Sequence, residues 1–107
     1  MISIIDYDAG NLTSVARAVT YLGFPCKVTN DSTEIERSER IIFPGVGAAG
    51  SAMQSLKRLG LDEIIASQFH RGKPILGICL GTQIIMGRSE ENQVACLGLV
   101  EGAVRAF

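Results

Sequence analysis

Gly77-Ile78-Cys79-Leu80-Gly81 is the part of this chain whose residue types and spacing could do chemistry. A cysteine thiolate is a nucleophile, and this one is flanked at two residues on either side by glycine. The apolar run Ile75-Leu76-Gly77-Ile78 leads in from Pro74, and a helix-like stretch over residues 80–86 leads out. Strand, tight turn, nucleophile and helix make the elbow of Gly-x-Ser-x-Gly, with a thiol replacing the hydroxyl. The glycines serve a turn that demands permissive dihedrals and close packing where a Cβ would clash. The side chain at the apex projects above the sheet, at a helix N-terminus whose partial positive charge favours an anionic sulfur. A buried structural cysteine in a glycine-rich strand end is the other reading of these five residues. A second apolar run into a glycine-rich loop, Ile41-Ile42-Phe43-Pro44-Gly45-Val46-Gly47, weighs towards a site.

Positioning two such loops takes an alternation of strands and helices, and the chain carries one. Residues 2–6 read as a buried strand. Gly10-Asn11 is a turn, and Asn11 or Thr13 can cap a helix over 12–22 that Gly23 ends. Residues 25–29 alternate like a strand nearer the sheet edge. Asp31-Ser32-Thr33-Glu34 offers caps for a short charged helix that stops before Arg40. Residues 41–43 form the third strand. Ala52, Met53, Leu56 and Leu59 give helical spacing over 48–58, closed by Gly60, and 61–70 continue helically to Gly72. The fourth strand is 75–79, and 80–86 is its helix. This order predicts an α/β, three-layer, flavodoxin-like parallel sheet with helices on both faces and strands buried on both sides. Functional groups of such a sheet gather beyond the carboxyl ends of its strands. The loops 6–11, 44–47 and 79–81 all follow strands, so they share one edge.

The tail predicts either a hairpin or two extended segments joined by a turn, residues 96–100 and 103–107 around Glu101-Gly102. Its last residue, Phe107, lies inside an apolar pattern, which leads us to expect a sheet incomplete at the carboxyl end. Open strand edges and uncovered apolar surface then predict self-association of these 107 residues.

Composition narrows the function. The length suits one domain at most, and 47% apolar residues suffice for a core. A net charge of −1 supplies no basic field, so nucleic acid is not an expected partner. No apolar run approaches a membrane span, and no basic region precedes the apolar start as in a secretory signal. Three widely spaced cysteines (Cys26, Cys79, Cys96) without Cys-x-x-Cys, and one histidine, argue against a zinc site and for a reducing, cytoplasmic setting. That histidine, His70, sits in Phe69-His70-Arg71-Gly72, a cationic last helical turn. It enters the fourth strand from the amino end, roughly 13–17 Å from Cys79 across the strand, so the two are not expected to pair. Gly45-x-Gly47-x-x-Gly50 fits a dinucleotide fingerprint by letter only, since it follows proline and lacks the acidic residue ending the next strand.

Taken together, these motifs resemble the class I glutamine amidotransferases, in which a cysteine of the Gly-Ile-Cys-Leu-Gly type attacks glutamine. Within that class the chain is most similar to the glutaminase subunits of imidazole glycerol phosphate synthase, of histidine biosynthesis. The likeness runs through Ile4-Ile5-Asp6-Tyr7, Gly10-Asn11-Leu12, Pro44-Gly45-Val46-Gly47-Ala48, Gly77 to Gln83, Ser89-Glu90-Glu91 and Leu97-Gly98-Leu99. Asp8 stands where a glycine is common, Thr82 where methionine is common, and Gly87-Arg88 where acidic residues often occur. The resemblance implies that Cys79 is the nucleophile and that the backbone amides of Leu80 and Val46 hold the oxyanion. It implies that Gly47, Gln83 and Glu91 hold glutamine, with Glu91 on the α-ammonium group. It calls for no cofactor and no metal, and for a (β/α)8-barrel cyclase subunit as partner. In the family the loop 44–47 can hold its amide turned away until that partner binds substrate.

The family's histidine and orienting acidic residue come from a carboxyl-terminal half that these 107 residues do not include. The sequence therefore reads as the amino-terminal part of a single amidotransferase domain, inactive by itself for want of a general base. Two rivals stay open: a glutaminase subunit serving another acceptor, and a noncatalytic flavodoxin-like module cradling an anion at a strand end.

Overall fold

The computed structural model describes residues 1–8, 12–89 and 94–105. Four strands, β1 (Ile2–Ile5), β2 (Cys26–Thr29), β3 (Arg40–Phe43) and β4 (Ile75–Gly77), form a parallel sheet in the order β2-β1-β3-β4. From β1 the chain steps outward to β2 through α1 (Leu12–Tyr21). It then returns past β1 to β3 through α2 (Ser32–Arg37). The direction of winding reverses between β1 and β3, and the loops leaving those strands diverge there. That crevice is where open α/β sheets bind ligands.

Period-two alternation along the strands divides the core. Ile5, Ile41 and Phe43 face the helices α2, α3 (Ala49–Leu59), α4 (Leu61–His70) and α5 (Leu80–Ile84), and pack with Ile35, Leu56, Ile65 and Ile84. Ile2, Ile4 and Ile42 point the other way, towards Leu12, Val15 and Val19 of α1. The layers are therefore those expected, helix on both faces of one sheet. Helix boundaries follow local chemistry. Asp31 caps α2 by accepting from the amides of Thr33 (2.8 Å) and Glu34 (3.1 Å). The Lys73 ammonium donates to the last carbonyls of α2, Ile35 and Glu36, at 2.8 Å each, and burial holds its pKa below the usual lysine value. Gly60, in the left-handed region at φ 70°, ends α3 and begins α4 in one residue.

Three features depart from the sequence expectation. The strands are not all buried on both faces: on the side of α1, Leu76 of β4 is 58% exposed and Phe24 is 50% exposed. One helix covers only part of a four-strand sheet, so Leu76, Ile78, Leu22 and Phe24 rim a cavity of about 420 Å³. β4 is also shorter than 75–79. Ile78 still donates to the Phe43 carbonyl at 3.0 Å, but Cys79 has left the extended region.

Among the described residues the tail forms no hairpin around Glu101-Gly102. A small sheet ordered β6-β5-β7 is built instead from β5 (Arg88–Ser89), β6 (Val94–Ala95) and β7 (Ala103–Val104). Its antiparallel pair is β5 with β6, while β7 runs parallel to β5. Between them the amides of Leu97, Gly98 and Val100 donate to the carbonyls of Ile84, Met86 and Ile85 at 2.9–3.0 Å. Those carbonyls are the orphans of the α5 C-terminus, which is why 97–100 is committed to the helix end and not to a strand. Gln93 and Phe107 fall outside the described residues.

The uncovered apolar face gives an expected outcome in solution. Light scattering across a concentration series should show these 107 residues self-associating, and the double change Phe24→Ser with Leu76→Ser should shift them towards monomer. A monomer at high concentration before any substitution would mean that this face tolerates water.

Candidate active site

The elbow is present, and its strain sits on the cysteine. Cys79 has φ 54° and ψ −119°, one of two described non-glycine residues with positive φ. Such a conformation costs on the order of 1–3 kcal/mol and persists where its surroundings over-determine it. The flanking glycines, expected to supply permissive dihedrals, have ordinary φ, and their service is close approach. A Cβ at Gly81 would overlap the Phe43 carbonyl oxygen, and one at Gly77 would lie 2.9 Å from the backbone of Thr82. Phe43 O, fixed by the Ile78 amide, thus lies directly beneath the first turn of α5. The Cys79 thiol stands exposed at the apex, and its carbonyl accepts from Thr82 (2.9 Å) and Gln83 (3.3 Å) as that turn begins.

The loop after β3 meets this elbow. Leu80 N–H donates to the Gly45 carbonyl at 2.9 Å, and a Cβ on Gly45 would strike the Tyr7 hydroxyl and crowd Leu80 Cβ. This contact changes the expected oxyanion arrangement. The Leu80 amide, one of the two expected donors, is engaged by protein. Because the described peptide bonds are trans, the Val46 N–H points opposite to the Gly45 C=O in the same plane, and so away from Leu80. The structure brings Val46 and Leu80 to one edge but does not aim their amides at one point. Val46 and Gly47 are exposed, and Gly47 has φ 110°, a value that favours glycine. Gln83 is half-buried on α5, one turn beyond Cys79. Glu91 lies outside the described residues, as do Gly10 and Asn11.

His70 is at the C-terminus of α4, exposed, with its ring edge-on to Phe69 at 5.5 Å. The chain passes from there to the amino end of β4, and Cys79 follows the carboxyl end, so the two are not paired. The other thiols differ from Cys79 in their surroundings. Cys26 is half-buried, its Sγ 3.7 Å from the Ala16 carbonyl and from Thr20 Oγ1. Cys96 is half-buried, and burial pushes its thiol pKa up.

Two residues at this edge have no role in the sequence reading. Tyr7 is fully buried and donates its hydroxyl to the Pro44 carbonyl. Its sequence signal is an aromatic two residues past the end of a strand. Asp8 adopts φ 63°, a region that aspartate tolerates better than most residues. Its carboxylate pairs with Arg58 of α3 at 2.9 Å, across an exposed surface.

Gly81→Ala should be costly, because the colliding atom is backbone oxygen in a strand and cannot rotate away. Denaturant titration is expected to show a loss at or above the upper end of the roughly 1–3 kcal/mol that overpacking typically costs. A loss within about 0.5 kcal/mol, the scale of ordinary surface changes, would contradict this packing.

Residues 3–96 match the family described as glutamine amidotransferase class-I. The chain is 51% identical over 107 residues to the imidazole glycerol phosphate synthase subunit HisH of Desulfovibrio desulfuricans, covering 49% of that protein. It is 42% identical over 108 aligned residues to the subunit of the same name from Herpetosiphon aurantiacus, covering 51% of it. The chain thus spans about half the length of the curated relatives it matches. Its backbone superposes with a TM-score of 0.80 on a glutamine amidotransferase crystal structure, at 18% identity, over 95% of this chain and 54% of that one. With the family match running through both strand-end loops, the chain belongs to the class I glutamine amidotransferases.

Proposed function

We propose that these residues are the amino-terminal part of a glutaminase domain whose ammonia feeds a cyclase partner making imidazole glycerol phosphate. The observation that carries the reading is the exposed Cys79 at a positive-φ elbow, facing the 44–47 loop at the switch point of the sheet. Cys79 Sγ attacks the side-chain carbonyl carbon of glutamine. The C–N bond breaks, ammonia leaves with a proton from a general acid, and a γ-glutamyl thioester remains. Water, deprotonated by the same group, then breaks the C–S bond and releases glutamate.

Charge that develops on the carbonyl oxygen needs two converging donors. Leu80 N–H becomes available once the Gly45 carbonyl leaves it, and a half-turn of the Gly45–Val46 peptide brings the Val46 N–H to the same side. The arrangement described above is thus a resting one. Gly47 keeps the loop backbone close to the substrate, Gln83 hydrogen-bonds the bound glutamine, and Glu91 holds its α-ammonium group. The acid–base group comes from the part of the relatives that these 107 residues do not span. In this reading the partner is a (β/α)8-barrel cyclase, the pathway is histidine biosynthesis, and the setting is the cytoplasm. No described helix is long and apolar enough to cross a membrane.

Iodoacetamide mapping by mass spectrometry should find Cys79 alkylated first, Cys26 and Cys96 being half-buried. Equal or faster reaction at Cys26 would favour a passive binding module. In an ammonia-release assay the 107 residues should give no Cys79-dependent turnover, alone or with a cyclase barrel, since lost general acid–base help costs about 10²–10⁴-fold. The full-length polypeptide should turn over and lose that activity on Cys79→Ala. Turnover by the 107 residues near the full-length rate would mean that a group within them, His70 included, serves as base.

A further inference from the structure

Tyr7 joins the segments that follow β1 and β3 through a single polar atom. Its ring is fully buried, tilted against Phe43 with centroids 5.0 Å apart, and its hydroxyl donates to the Pro44 carbonyl. Pro44 and Gly45 are buried as well, and a Cβ on Gly45 would overlap that hydroxyl. The Pro44–Gly45 peptide is therefore gripped from the core side. The next peptide is held differently. Its oxygen accepts one bond, from the Leu80 amide at 2.9 Å, and beyond it Val46 is 61% exposed and Gly47 has φ 110°.

We infer that Tyr7 is a positioning residue, whose hydroxyl pins the Pro44 carbonyl and so confines the turn that presents the Val46 amide to the Gly45–Val46 peptide. This rests on the glutaminase reading for the use of that amide. Turning one peptide changes ψ of Gly45 and φ of Val46. Glycine makes the first change cheap, having no Cβ to obstruct it. With the Pro44 carbonyl free, ψ of Pro44 would change too, and the loop would move as a longer unit whose amide lands over a spread of positions. Oxyanion donors act through distance and direction, so a spread of positions weakens them. A phenylalanine would fill the same core space without gripping the loop. Burial also pushes the Tyr7 pKa well above the ordinary tyrosine value.

The test is Tyr7→Phe, read in two ways. Amide hydrogen exchange on the 107 residues reports the Leu80 N–H directly and does not depend on the glutaminase reading. We expect Leu80 to exchange roughly fivefold faster, the effect of one ordinary hydrogen bond, with β1 and β3 amides unchanged. In the full-length polypeptide with its cyclase, glutaminase kcat should fall about 10- to 100-fold with KM for glutamine within about twofold, as for a misplaced group. Unchanged Leu80 exchange, or a uniform rise at all amides, would overturn the inference and leave Tyr7 as a core side chain. A selective change at Leu80 with unaltered kcat would overturn it too, since the grip would then have no consequence for the reaction. Cys79→Ala run in parallel judges the glutaminase reading separately: full turnover without that thiol would sink the reading, while the exchange result still judges the grip.

Discussion

Two backbones come closer at the end of β3 than any side chain would permit, and the rest of the site follows from that approach. The Phe43 carbonyl accepts the Ile78 amide and lies against Gly81, so β3, the end of β4 and the first turn of α5 are locked in mutual register. With glycine also required at Gly77 and Gly45, the chain must reverse from strand to helix within very few residues. Cys79, with its positive φ, carries the strain of that reversal. The thiol is pushed outward as a result. Exposure of the Cys79 thiol and burial of Gly45 and Gly81 are two consequences of one packing constraint.

The same constraint explains how the loop after β3 is held. Where Gly45 passes the elbow, its carbonyl finds the Leu80 amide, an orphan donor of the first turn of α5, and satisfies it. The Leu80 donor is thus occupied by the protein's own oxygen. Tyr7, fixed in the core by Phe43, grips the peptide before this one, and the exposed Val46-Gly47 pair follows it. In the proposed reading, the buried Tyr7, the Gly45–Val46 peptide and Gly47 of positive φ act in sequence as post, swivel and free end.

Away from this edge the structure is less complete. Among the described residues only α1 covers its side of the sheet, leaving Leu76 and Phe24 in contact with water, whereas the opposite side is packed by α2 to α5. The asymmetry has a thermodynamic meaning: β4 is three residues long and uncovered on one face, so it draws its stability from one side only. The tail adds to the α5 side, where the amides of Leu97, Gly98 and Val100 satisfy the helix end.

Much of this was legible in the amino-acid sequence. Apolar runs such as Ile2 to Ile5, and helical spacing closed by Gly23 and Gly60, have local causes, so strand and helix order, the parallel sheet and the shared loop edge followed from it. The elbow at Cys79 was readable for the same reason, since glycine spacing records where a Cβ has no room. What needed tertiary structure were outcomes of competition between distant groups. Pairing of Arg88–Ser89 with Val94–Ala95, and the use of 97–100 to cap α5, depend on which carbonyls lay nearest once the helix had formed. The bond from Leu80 to Gly45 joins residues 35 positions apart, and the grip of Tyr7 on Pro44 joins residues 37 apart. Residue types record local preference, and only the folded chain decides which of several possible partners each polar group meets.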